Sequence, residues 1–109
     1  MRVYDVAGRV DKEKGEFILG SKDTGSHACY MIYGKLGPGE EGRVIRPGKG
    51  HEEIIFAVTG DLEVSGAMEG VLREGSAIHI AGDKVCRLKN LTVKEALYIA
   101  SGGHSEGGH

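Results

Sequence analysis

The sequence predicts an all-β domain, a sandwich or barrel of roughly eight to ten short strands. Three observations carry that reading. Apolar residues recur at period two in several short runs, the spacing of strands with one face buried. No segment keeps a helical period over three turns. Glycine is abundant, with 19 in 109 residues and only two prolines beside them, which marks many tight turns rather than a disordered chain.

The elements follow in order. "RVYDVAGRV" reads as an opening strand ending near Gly8, and "FILG" as a short apolar run closed by a glycine turn. "HACYMIYGKL", residues 27–36, is the longest β-rich run, with Ala28, Tyr30 and Ile32 on one face and Cys29, Met31 and Tyr33 on the other. "GPGEEG" is a turn cluster and leads into "RVIRPG". In "EEIIFAVTGDLEV" the "TGD" between two β-rich runs predicts a tight hairpin. "GVLREGSAIHIAGDKVCRLKN" supplies two strands parted by "AGD", and "KEALYIA" the last one. Residues 1–100 thus form one domain, and "SGGHSEGGH", residues 101–109, a flexible tail.

Alternation also sets sidedness. Cys86, Leu88 and Asn90 share one face of "CRLKN", while Arg87 and Lys89 share the other and face water, so Cys86 points inward. His51, Glu53, Ile55 and Ala57 share parity, opposite Glu52, Ile54, Phe56 and Val58. Both sets are largely apolar, which suits a strand covered on both sides, by a second sheet or by a partner subunit. His79 points away from the most apolar interior, because it alternates with Ile78 and Ile80.

Charge excludes several classes of function. The formal net charge is -2, with acids and bases interspersed, so nucleic acid and anionic membranes are not expected partners. No apolar run approaches the length of a membrane span, and the N-terminal "MRVYDVAGRV" lacks a signal-peptide core. A cytoplasmic location is expected, with Cys29 and Cys86 as reduced thiols unless the fold brings them together.

Residues 47–60 and 75–90 together resemble the two motifs of the cupin superfamily of small β-barrels. Glu53, followed by "IIFAVT" and Gly60, matches the second half of the first motif; Gly75, "SAIHI", "AGD", Cys86 and Asn90 keep the spacing and both ends of the second. The resemblance implies a single-domain, cupin-like double-stranded β-helix, a jelly-roll barrel, and a homodimer joined through strand contacts. In that family a His-x-His pair, a glutamate and a second-motif histidine bind a divalent metal inside the barrel. Carried over by position, the pair falls on Pro47 and Lys49, the glutamate is present as Glu53, and the last histidine is replaced by Cys86.

Two readings of the site stay open, and no residue is assigned a catalytic role. In one, His51, Glu53 and Cys86 rebuild a center for a divalent transition metal such as zinc, nickel, cobalt or iron, acting on a small molecule. In the other, the barrel holds no metal; it binds a small ligand through Lys49, Tyr30 and Tyr33, or is a structural dimer. Both share one requirement: a buried carboxylate must be satisfied by something, so the partner of Glu53 decides between them.

Overall fold

The computed structural model describes residues 1–105. Within them the chain forms two short helices and nine strands: α1 (Val6–Val10), β1 (Glu16–Leu19), α2 (Ser21–Thr24), β2 (Cys29–Leu36), β3 (Arg43–Ile45), β4 (His51–Thr59), β5 (Leu62–Gly66), β6 (Gly70–Leu72), β7 (Ala77–Ala81), β8 (Cys86–Asn90) and β9 (Ala96–His104). One sheet has the order β1-β2-β9-β4-β7 and the other β3-β8-β5-β6. All pairings are antiparallel.

Consecutive strands mostly change sheets. Only β1 to β2 and β5 to β6 stay within one; every other connection crosses from sheet to sheet. The all-β jelly-roll expectation therefore holds. The "TGD" turn, however, is a corner rather than a hairpin, since β4 and β5 lie in opposite sheets. Gly60 takes that corner at φ 87°, a conformation that side-chain-bearing residues rarely adopt. Its N–H donates to Glu74 Oε1 at 2.8 Å, which ties the corner to the next loop.

Between the sheets lies one apolar core in which Leu36, Ile55, Leu62, Leu88 and Tyr98 are fully buried. Each such aliphatic side chain contributes about 1.5–3 kcal/mol relative to exposure. Asn90 is the buried polar clamp at one end. Its Nδ2 donates to the carbonyls of Leu36, Gly37 and Lys94, and its Oδ1 accepts from the Thr92 N–H and hydroxyl. Every polar atom of that side chain is thus engaged, and three separate segments are held to one point.

Two local expectations change. The opening run is not a strand: Asp5 Oδ1 accepts from the Gly8 N–H at 3.0 Å and starts α1, which buries Val10 and lays Arg9 over the Phe17 ring. The last strand runs on through His104, so residues 101–104 belong to the sheet rather than to a tail. Their glycines are accepted there because β9 is flanked by β2 and β4 along that length; residues 106–109 lie outside the described part. Within the chain, β4 is covered on one face only, which leaves the partner-subunit alternative for the other. Glu53, Ile55 and Ala57 are buried, whereas Ile54 and Phe56 are 53% and 39% exposed.

Candidate functional site

In antiparallel strands, directly paired residues share a face, and one such row builds the site. Tyr30 on β2 pairs with Gly102 on β9, which pairs with Glu53 on β4. The Tyr30 ring lies across Gly102, where a Cβ would occupy the same space as the ring. Only glycine at that position lets the phenol pass over the middle strand. The Tyr30 hydroxyl then donates to Glu53 Oε2 at 2.6 Å.

Glu53 is 4% exposed, and its Oε1 has no hydrogen-bond partner. A buried acceptor in that state costs about 1–3 kcal/mol. Burial raises the carboxyl above the ordinary glutamate range; the Tyr30 bond opposes the rise, and the charge of Glu16 adds to it. The phenol of Tyr30 is raised in turn, by burial and by Glu53, and stays protonated as a donor.

The same construction occurs a second time, running the other way. Tyr98 on β9 crosses Gly34 on β2 and reaches Glu16 on β1. Its hydroxyl donates to Glu16 Oε2 at 2.7 Å and accepts from Arg43 Nη1 at 3.0 Å. Arg43 is committed to that corner, since it also donates to the carbonyls of Gly15 and Lys35 and to Glu40.

Glu16 and Glu53 both line a cavity of about 400 Å³ at one end of the barrel. Ile18, Ile32, Val44 and Ile45 supply its apolar wall; Tyr30, His51, Arg46 and Ser21 supply polar groups. The His51 ring sits 4.9 Å from that of His104, its strand partner, and 6.1 Å from that of Tyr30. Its Nδ1 lies 3.2 Å from the Lys49 carbonyl.

Of the residues expected from sequence, Tyr30, His51 and Glu53 meet at this cavity and the others do not line it. Lys49 is exposed, because the turn between β3 and β4 points it into solvent. Tyr33 lies on the opposite face of β2 from Tyr30, by strand alternation. Cys86 is fully buried on the other sheet, beside Ile45 and Gly66. Its thiol is pushed up by burial and by the charge of Glu53. The sequence reading missed Glu16, whose place depends on a pairing with Gly34 that no local pattern shows. Cys29 is exposed and both cysteines are free. His79 stands exposed on the outer face as expected, 2.6 Å from Glu52.

The donor set does not fit the metal center of the resembled family. Pro47 has no ligating atom, Lys49 faces solvent, and Glu53 Oε2 already accepts from a phenol. Among the described residues, no three His, Cys, Asp or Glu side chains gather as a metal site.

No family model and no curated protein matches the chain. Solved structures do. The TT1209 protein of Thermus thermophilus superposes with a TM-score of 0.68 at 19% identity, over 95% of this chain and 98% of that one. The cupin domain of Schizosaccharomyces pombe Cnp3 gives 0.63 at 13% identity, over 72% and 54%. The fold is a cupin barrel. An oxalate oxidase solved with glycolate gives 0.70 at 20% identity, over 86% of this chain and 53% of that one. At such identities the likeness is one of fold, and a cupin barrel hosts many chemistries.

Proposed function

We propose that this cupin barrel binds a small polar molecule in the cavity over Glu53, without a metal holding it there. The buried, unpartnered Oε1 of Glu53, a residue that lines that cavity, carries the reading. A buried acceptor persists at such a cost where a ligand completes it, and the Tyr30 bond fixes the carboxyl in one orientation for that purpose. The apolar wall of Ile18, Ile32, Val44 and Ile45 fits an alkyl or ring face beside the polar contact.

A fragment screen by ligand-observed NMR on untagged protein, with hits mapped on the labeled chain, tests this. Hits are expected to shift the Tyr30 and Gly102 amides and to lose affinity in Glu53→Gln. Stoichiometric metal in purified protein, lost in both Glu53→Ala and Cys86→Ser, would overturn the metal-free reading and restore the His51, Glu53 and Cys86 center. Absence of any hit at the cavity would overturn ligand binding altogether.

A homodimer is the second part of the proposal. The outer face of β4 carries exposed Ile54 and Phe56 between the two neighboring strands β9 and β7. A second copy laid on that sheet would cover them.

A further inference from the structure

Building on the small-molecule reading, we infer that the ligand of this cavity carries a primary ammonium at its inner end, on a short alkyl stem, with an anionic group at its outer end. Three observations lead there. The first is the lone acceptor: Glu53 Oε1 is buried and unpartnered, so the inner end of the ligand must donate. The second is charge. Among the described residues no Lys or Arg pairs with Glu53, and the other carboxylate lining the cavity, Glu16, has its own cation in Arg43 at 3.8 Å. A cationic donor answers both needs of Glu53, whereas a hydroxyl answers one.

The third is the layout of the wall. Ile18, Ile32, Val44 and Ile45 line the cavity with Glu53, Ile32 and Ile45 buried and Ile18 and Val44 about half exposed, a surface suited to methylene groups. At the rim stands Arg46, 59% exposed and 3.8 Å from an equally open Asp83. So loose a surface pair contributes little, which leaves the guanidinium available to an incoming anion. Donor-seeking floor, apolar wall and cationic rim together describe an ω-amino acid.

Titration of the isotopically labeled full chain, followed by amide NMR, tests the inference with four probes of one length: ε-aminocaproate, hexylamine, hexanol and hexanoate. The two amines are expected to shift Tyr30, Gly102 and Ile45, and hexanol and hexanoate to bind at least tenfold more weakly. Glu53→Gln, which keeps the shape of the side chain, is expected to weaken both amines at least tenfold. Arg46→Ala should bring ε-aminocaproate down to the affinity of hexylamine. Equal binding of hexanol and hexylamine, or unchanged amine affinity in Glu53→Gln, would overturn the ammonium. If hexanol and glycerol shift the same amides while the amines do not, the inference fails and the cavity remains a site for neutral molecules. Silence from these probes together with an empty fragment screen removes the small-molecule reading as well.

Discussion

Tyr30 satisfies one oxygen of Glu53 from two strands away, by lying flat across Gly102. The bond leaves the second oxygen buried and without a partner, in a residue that lines the cavity. Removing the donor tests how much the bond supports the fold. Tyr30→Phe strands both oxygens and is expected to destabilize the protein by about 1–3 kcal/mol. Chemical denaturation with a constant m-value is the measurement; a midpoint unchanged from wild type would mean that water already serves Oε2.

The glycines under the two tyrosines should differ in tolerance. A methyl group at Gly34 meets Tyr98, which is fully buried and bonded to Glu16 and Arg43, so the ring has nowhere to go. A methyl group at Gly102 meets Tyr30, which borders a cavity into which it can swing. Gly34→Ala is therefore expected to lose more stability than Gly102→Ala, the latter near the usual overpacking cost of about 1–3 kcal/mol. Melting temperatures of the two variants in the reverse order would contradict the assignment.

The pH dependence has a definite sign. Glu53 has a folded pKa held above its ordinary value of 4.5, so the folded protein retains that proton more tightly than the unfolded chain. The contribution to stability is complete below the ordinary value and is lost as pH rises through the raised one. Glu53→Gln removes the charge but not the shape. Its melting temperature should fall less than that of wild type toward about pH 8 and end above it. Parallel curves for the two proteins would place the pH dependence elsewhere.

The outer face of β4 gives a test of assembly. Phe56→Asp places a charge where the proposed second copy sits and leaves the barrel interior untouched. Light scattering after gel filtration should report half the mass of wild type. Wild-type protein that already runs as a monomer ends the dimer proposal.

Asn90 makes a sharper stability probe than any core aliphatic. Asn90→Ala removes two N–H donors shared among three carbonyls and the Oδ1 that accepts from Thr92, and at about 1 kcal/mol net for each of these polar groups the loss is on the order of 3 kcal/mol. Asn90→Asp keeps the bulk but turns a carboxylate toward those carbonyls, and should fold less well than the alanine variant.

Much of this architecture was legible in the sequence. The alternation in "CRLKN" put Cys86 and Leu88 inside, where they are, while that in "HEEIIFAV" grouped Glu53 with Ile55 and left open which face was the inner one. Turn glycines marked the corners, although "TGD" did not reveal which sheet the next strand would join, because a corner and a hairpin can use the same positive φ. The helix at Val6–Val10 escaped notice since it is a single capped turn, held by Asp5 and by packing on Phe17 rather than by any periodic pattern. At the site, Tyr30, His51 and Glu53 were readable one strand at a time. Glu16 was not, nor was the role of Gly102, because each takes its meaning from a tyrosine on another strand, far away along the chain. Lys49 was drawn in by motif position, and a turn's direction cannot be read from spacing.

Strand β9 takes part in both tyrosine rows, as the bearer of Tyr98 and as the strand crossed at Gly102. Those two positions share one face of the strand, so they act as a two-point key for alignment. A slip by two residues would keep every apolar side chain on its proper side and so escape the ordinary check of burial. It would, however, push Ala100 or His104 beneath the Tyr30 ring and carry Tyr98 away from Gly34 in the same motion. Strand β9 can therefore close the barrel in one alignment only, and the two glycines act as its gauge.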